Sequence, residues 1–331
     1  MMLYPIKLKP VFKAKPWGGR KLQTYFGKAL PQGNIGESWE LCCREDGMSV
    51  VDNGQYRGKT LREMIDIFRG RILGPAVLAK YGTEFPLLFK ILDANDRLSV
   101  QVHPDDVCAK SKGLINGKDE MWYVIDAGEN AKLIYGLKNV TSKAELESAI
   151  RENRILQLLN EVAVKPGTFL YIPAGTVHAI LGGILVAEIQ QNSNTTYRLY
   201  DWDRVDSNGK RRELHVKDAL DAIHFEKSGP AATSVLSSKR INGAEIRSGP
   251  KVKEFTTDEV RINETFEAQT GESFNVIMGL NGNGKILYGG GSIDLNKGDT
   301  VLIPSEIKRY SLEGNMLMLL THSLTQRKER N

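Results

Sequence analysis

The chain has 331 residues, 41% hydrophobic and 26% charged, enough to bury a sizeable core and to divide into two lobes. Its 45 Lys and Arg against 40 Asp and Glu leave a net charge of +5; with no long basic run this argues against a nucleic-acid partner and leaves room for local cationic sites that hold an anionic small molecule. Cys42, Cys43 and Cys108 are odd in number and lack metal-like spacing, which fits a reducing compartment; with neither a spanning apolar run nor a signal pattern, the expectation is a cytoplasmic protein away from membranes.

Tyr4 to Phe12 alternates apolar and basic residues and predicts an edge strand. Trp17-Gly18-Gly19-Arg20 and Gly36-Glu37-Ser38-Trp39-Glu40 follow, and packing is the plain physical role of both tryptophans because indole has a large area to bury. Thr60 to Phe68 and Leu73 to Lys80 predict short helices, the first opened by a Thr60/Glu63 capping box. Phe85 to Leu92 reads as a strand with Lys90 inside an apolar run. Snorkelling at a strand end would explain that lysine; the sharper explanation is a cation placed in a pocket.

The most informative stretch runs from Leu98 to Trp122. Leu98 to His103 alternates, so Ser99, Gln101 and His103 share one face of a strand and Leu98, Val100 and Val102 the other. Pro104 ends the strand, and Asp105-Asp106 reads as a solvated turn. A lysine-bearing loop then leads to Lys118 and Glu120 and to an apolar strand, Met121 to Ile125. Gln101, His103 and Glu120 offer an amide oxygen, an imidazole nitrogen and a carboxylate, all accepted by divalent metals, and a fourth ligand is wanted.

Downstream, Thr141 to Leu159 predicts an amphipathic helix capped near Thr141 or Ser142. Gly167 starts a short strand, Pro173 and Gly175 make a tight turn, and His178 enters the next strand, with Gly182-Gly183 as a hairpin turn. Ile184 to Gln190 is a further strand that sets Glu188 among apolar neighbours. A polar turn from Asn192 leads to a strand on which Arg198 shares the Tyr200/Trp202 face if alternation holds. Lys227 to Ser238 is the best linker, and hairpins are expected at Asn281-Gly282 and Asn283-Gly284. Gly298 and Pro304 each lie 131 positions beyond Gly167 and Pro173 (298 − 167 and 304 − 173), a trace of an internal repeat. Glu306 and Arg309 there stand in the places of Gly175 and His178; an arginine cannot ligate a metal, so the second lobe is expected to be structural. His215, His224 and His322 read as ordinary surface or helix residues.

A lone histidine on a strand is more often packed than ligating; the context of His103 and His178 is what separates them. The pattern G-x5-P-x-G-x2-H from Gly167 to His178 resembles the second metal motif of cupin barrels. Gln101-x-His103 with Glu120 resembles the first, glutamine standing where the common cupin has histidine. Together with Leu98 to Pro104, Lys118-Asp119-Glu120-Met121-Trp122 and the two tryptophan strings, the chain resembles the type I mannose-6-phosphate isomerases, most closely their short bacterial form. The resemblance runs from Trp17 to about Arg204, with a weaker barrel likeness to the end.

That resemblance implies a mainly β fold of cupin-type jelly-roll barrels in two lobes, with a few helices on the catalytic lobe. Residues 1–230 would form the catalytic barrel and 231–331 a small lobe without a metal site. It implies one zinc ion held by Gln101, His103, Glu120 and His178, with Ser99, Lys90, Lys118, Glu188 and Arg198 at polar active-site positions. The implied reaction interconverts mannose 6-phosphate and fructose 6-phosphate; the partner is a small hexose phosphate, and the sequence carries no signal of oligomeric state. Such an isomerisation moves a proton between adjacent carbons through an enediolate, so a metal and a fixed cation such as Arg198 suit the developing charge. Lys90, Lys118 and Ser99 suit a phosphate, and Glu188 or a lysine of lowered pKa the proton transfer. Two other classes compete: an iron cupin dioxygenase, disfavoured by Gln101 and the lysine-rich surroundings, and a noncatalytic sugar-binding cupin.

Overall fold

The computed structural model describes residues 2–140, 142–206, 208–225, 238–241 and 243–323. Strand-forming alternation dominates the sequence, and the fold is mainly β. Two antiparallel sheets form a jelly-roll sandwich in the amino-terminal part. The first has six strands in the order Phe169–Ile172, Glu120–Ala127, Ile184–Gln191, Leu87–Ala94, Ile35–Leu41, Val11–Gly19. The second has five, in the order Leu159–Ala163, Lys132–Leu137, His178–Ile180, Val100–Val102, Tyr197–Tyr200.

The period of two decides what each face meets. On the first sheet Phe89, Ile91, Met121, Tyr123, Leu185, Ala187 and Ile189 pack outward into one cluster with Leu61, Met64 and Phe68 and with Phe255, Phe274 and Leu302 of the carboxy-terminal part. On the second, Val100, Val102, Ala179, Tyr197 and Leu199 pack outward against Leu146 of helix Lys143–Arg151 and Ala219 and Leu220 of helix Val216–Ala222. The alternate residues turn inward. Leu92, Trp122, Val124, Leu170, Ile180 and Val186 fill one end of the sandwich, each such side chain stabilising by about 1.5–3 kcal/mol when fully buried. The other end receives the polar residues.

The carboxy-terminal part is built on a ten-stranded sheet whose longest pairing joins Asn275–Tyr288 to Arg309–Ser323. The repeat is visible in the backbone. Thr300–Ile303 is a strand 131 positions after Phe169–Ile172, and the strands opening at Arg309 and His178 are offset equally (300 − 169, 309 − 178). The turn bond from Thr176 N–H to Pro173 O recurs from Ile307 to Pro304.

Several expectations change. Ile6–Lys9 is an internal strand, flanked by Thr300–Ile303 and Val50–Val51, because Ile6 and Leu8 are buried on joining the carboxy-terminal sheet. The second short helix starts at Pro75, after Gly74 at φ 84°. Ser142 caps helix Lys143–Arg151, while Thr141 lies outside the described residues, and Asn153 at φ 55° breaks the helix before a 3₁₀ turn at Ile155–Leu158. Gly182-Gly183 links strands of two different sheets, so it is a crossover between layers rather than a hairpin. The Asn-Gly pairs at 281–284 lie inside one long strand. A Cβ on Gly282 or Gly284 would stand 2.0 or 2.1 Å from Asn315 O or Glu313 O, so these glycines permit close strand approach instead of a turn. The linker expected at Lys227–Ser238 falls outside the described residues apart from Ser238.

Candidate active site

The inward faces bring the predicted polar residues together. Gln101 lies between His178 and Arg198 in register on the second sheet. Across the sandwich, Glu188 is flanked by Lys90 and Trp122, and Glu120 pairs with Gln190 and Ile172. The alternation that orients Arg198 fails just after it: the register shifts before Tyr200, and Tyr200 and Trp202 pack with the outward Tyr197/Leu199 cluster.

At the centre His103, Glu120 and His178, all buried, offer ligand atoms within 4.8 Å of one another. Glu120 Oε2 is 3.4 Å from His103 Nε2, and Oε1 is 3.3 Å from His178 Nε2. Both imidazoles donate their Nδ1–H to backbone carbonyls, His103 to Thr195 O and His178 to Thr176 O, each at 2.9 Å. That leaves each Nε2 lone pair facing inward, as an orienting outer bond does in metal sites. Gln101 directs its amide to His178 Nε2 at 3.3 Å; a half-turn of the amide presents oxygen there instead. Of the two buried Glu120 oxygens, Oε2 meets the Lys118 ammonium at 2.9 Å, while Oε1 accepts no hydrogen bond, a costly state that a bound cation would relieve.

Electrostatics agree. Burial, followed by the Lys118 cation, pushes His103 down to about 3, and burial lowers His178, so both rings are neutral. Burial pushes the Glu120 carboxyl up, but the Lys118 cation holds it well below its usual range. Two neutral imidazoles, a carboxylate and an amide form a donor set fit for a divalent metal.

Around this cradle runs a polar pocket lined by Lys90, Ser99, Gln101, Lys118, Glu188 and Arg198. Lys118 Nζ lies 3.0 Å from His103 Nε2 and 2.9 Å from Glu120 Oε2. Ser99 Oγ donates to Gln101 Oε1 at 3.3 Å. Lys90 Nζ bonds Glu188 Oε1 at 2.8 Å, and Trp122 Nε1–H donates to Glu188 Oε2 at 3.0 Å. Burial alone would lower the Lys90 pKa; Glu188 and Glu37 outweigh it and raise it, so Lys90 stays charged. Arg198 donates from Nη1 to Glu213 O at 2.7 Å, while its Nε is buried without a partner. Burial and then Arg212 lower its pKa. Among the described residues Arg198 forms no ion pair, unlike Lys90, Lys118 and Arg212.

The sequence did not single out Lys15, Asn194, Thr196 or Arg212 as pocket residues, nor give Trp17 or Glu37 more than a place in a string, yet all line it. Only the two tryptophan strings carried any signal. Lys15 pairs with Glu37 at 3.0 Å, and Arg212 meets Asp201 through Nε at 2.7 Å and Nη2 at 2.5 Å. Asp105 caps helix Asp106–Ser111 and bonds His224 at 3.0 Å, so neither is a free surface residue.

Residues 5–141 match the catalytic-domain model of the type I phosphomannose isomerases, and residues 245–323 the cupin-domain model of the mannose-6-phosphate isomerases. The chain is 38% identical over 322 residues to the mannose-6-phosphate isomerase of Streptococcus mutans, covering 97% of this chain and 99% of that one. It is 39% identical over 324 residues to mannose-6-phosphate isomerase ManA of Bacillus subtilis, covering 97% and 100%. The crystal structure of the Bacillus subtilis mannose 6-phosphate isomerase superposes with a TM-score of 0.88 at 37% identity, over 96% of this chain and 99% of that one.

Proposed function

Because the chain belongs to the type I mannose-6-phosphate isomerases, we propose that it interconverts mannose 6-phosphate and fructose 6-phosphate with one zinc ion held by Gln101, His103, Glu120 and His178. The observation that carries this reading is the cradle of inward Nε2 atoms around the buried Glu120 carboxylate, whose Oε1 accepts no hydrogen bond. When bound there, a divalent metal supplies a Lewis acid that favours negative charge on the sugar oxygens O1 and O2.

The chain's own groups supply the rest. Lys118 Nζ, at the rim of the cradle, carries the proton between the two adjacent carbons as the neutral amine, its own extra proton having first passed to solvent: it takes the proton from one carbon and returns it to the next. Glu188 has both oxygens engaged by Lys90 and Trp122 and fixes Lys90 beside the sugar. Ser99 and Lys90 hold the substrate's polar groups by direct and charge-assisted hydrogen bonds. Arg198, in register beside Gln101 and without a carboxylate partner, offers a permanent cation where negative charge develops. A cytoplasmic location is supported by three free cysteines, and no helix among the described residues is long and apolar enough to cross a membrane.

A coupled assay for fructose 6-phosphate formed from mannose 6-phosphate, with and without chelator, tests the proposal. Turnover that chelator abolishes and zinc restores is expected. Undiminished turnover in a metal-free preparation contradicts the assigned cradle.

A further inference from the structure

The chain leaves the second sheet at His103 and enters the first at Glu120, so Lys118 sits at the end of a long excursion. Nothing in an ordinary loop would fix a lysine to hydrogen-bonding accuracy. Here the backbone is tied at three successive residues. Gly117 N–H donates to Asp106 Oδ1 at 3.0 Å, Lys118 N–H to Pro104 O at 3.0 Å, and Asp119 N–H to Gln191 Oε1 at 2.8 Å.

The two side chains that make the outer ties also bond each other: Gln191 Nε2–H donates to Asp106 Oδ1 at 3.1 Å. Gln191 is 7% exposed and is anchored through its own N–H on Asp119 O at 3.1 Å. Gly117 approaches so closely that a Cβ there would stand 2.6 Å from Asp105 C and from Asp106 N. Lys253 Nζ, from the carboxy-terminal part, reaches Asp106 Oδ2 at 3.2 Å with its side chain 65% exposed. A pair that exposed contributes little, so the amide-to-carboxylate bonds are the working part.

We propose that Asp106 and Gln191 are positioning residues, a clasp that fixes the backbone on both sides of Lys118 and so sets its ammonium against His103 and Glu120. This rests on the reading of Lys118 as the proton carrier. Neither residue lines the polar pocket around the cradle. Their effect on the reaction is through geometry alone, and misplacement of a reacting group by about 1 Å costs about 10²-fold in rate.

The test compares Asp106→Ala, Asp106→Asn and Gln191→Ala in the full chain loaded with zinc. Asparagine keeps an oxygen for Gly117 N–H and Gln191 Nε2–H and loses only the charge toward Lys253. Amide hydrogen exchange at residues 117–119 is read beside kcat and KM. Asp106→Ala and Gln191→Ala are expected to speed that exchange at least about 10-fold and to lower kcat by about 10- to 100-fold, with KM within about 3-fold. Asp106→Asn is expected to stay near wild type in all three. If Asp106→Ala does not fold, Gln191→Ala carries the test. Fast exchange with wild-type kcat, or equal losses in the alanine and asparagine variants, overturns the clasp. If the wild-type protein turns over no hexose phosphate, the function above fails while exchange still decides the clasp: unchanged exchange in both alanine variants refutes it, and acceleration that asparagine prevents supports it.

Discussion

Arg198 and His103 show how position, more than residue type, sets the surroundings of a side chain. Arg198 is an ordinary strand arginine by sequence; burial, a neighbouring Arg212 and the lack of a carboxylate partner make it a cation short of negative charge. A substrate whose reacting oxygens become anionic relieves that state more than a neutral sugar does. Arg198→Ala is therefore expected to keep fold and metal while kcat falls about 10²–10³-fold; steady-state kinetics that show mainly a raised KM would instead place Arg198 on the phosphate. Lysine at 198 restores only part of the rate, because it lacks the planar fork. His103 carries a different consequence. Its folded pKa, about 3, lies below the ordinary 6.5, so the unfolded chain binds this proton more readily. Its contribution to stability is full above about pH 6.5 and is lost as pH falls towards 3, at up to about 1.4 kcal/mol per pH unit. Urea titrations of the metal-free protein across that range are expected to show this slope, and His103→Gln to flatten it.

Strands explain which of these residues were legible in advance. Wherever a period of two runs unbroken, the face of each residue follows from the sequence: Ser99, Gln101 and His103 turn inward, and Val100 and Val102 outward; Leu98, expected to face outward with them, precedes the strand and packs inward beside the pocket. Lys90 in an apolar run and Glu188 among apolar neighbours were the same signal, since inward faces change from apolar to polar along one strand. The pattern gave nothing at Arg212, which lies outside any strand and is aimed by its pairing with Asp201. It misled at Tyr200, where a register shift breaks the alternation. Asn-Gly pairs at 281–284 and Gly182-Gly183 carry turn chemistry, but close backbone approach and a crossover between sheets need glycine equally. Local sequence does not distinguish those uses. The separation of His103 from Glu120 was visible as a loop, while the bonds from Asp106 and Gln191 that discipline it depend on a strand far along the chain.

At the scale of the whole molecule, the two parts share a sheet and a buried charge. Ile6–Lys9 pairs with Thr300–Ile303, and Phe85 stacks on Phe274 with ring centroids 4.7 Å apart. Glu40, 1% exposed, accepts from Lys28 Nζ at 2.9 Å, Ser38 Oγ at 2.5 Å and Thr300 Oγ1 at 3.2 Å, and Lys28 also reaches Gly298 O at 3.0 Å. Removing the lysine strands a buried carboxylate, so Lys28→Met is expected to cost about 3–5 kcal/mol, and Lys28→Met with Glu40→Leu much less. Urea unfolding is expected to remain one cooperative transition, because the contacts cross between the parts; separate transitions would mean the shared sheet does not couple them.

The central claim is that this fold holds a metal beside Lys118 and Arg198 to move a proton between two adjacent sugar carbons. Isomerisation of mannose 6-phosphate in D2O by the zinc-loaded protein, followed by NMR until many cycles have passed, tests it most directly. A base that shares its proton with solvent even occasionally will accumulate deuterium at C1 of fructose 6-phosphate. Deuterium rising at that carbon, and absent in the zinc-free protein, is the expected result. Fructose 6-phosphate that carries only protium at C1 after prolonged equilibration, or no fructose 6-phosphate at all, would contradict the account.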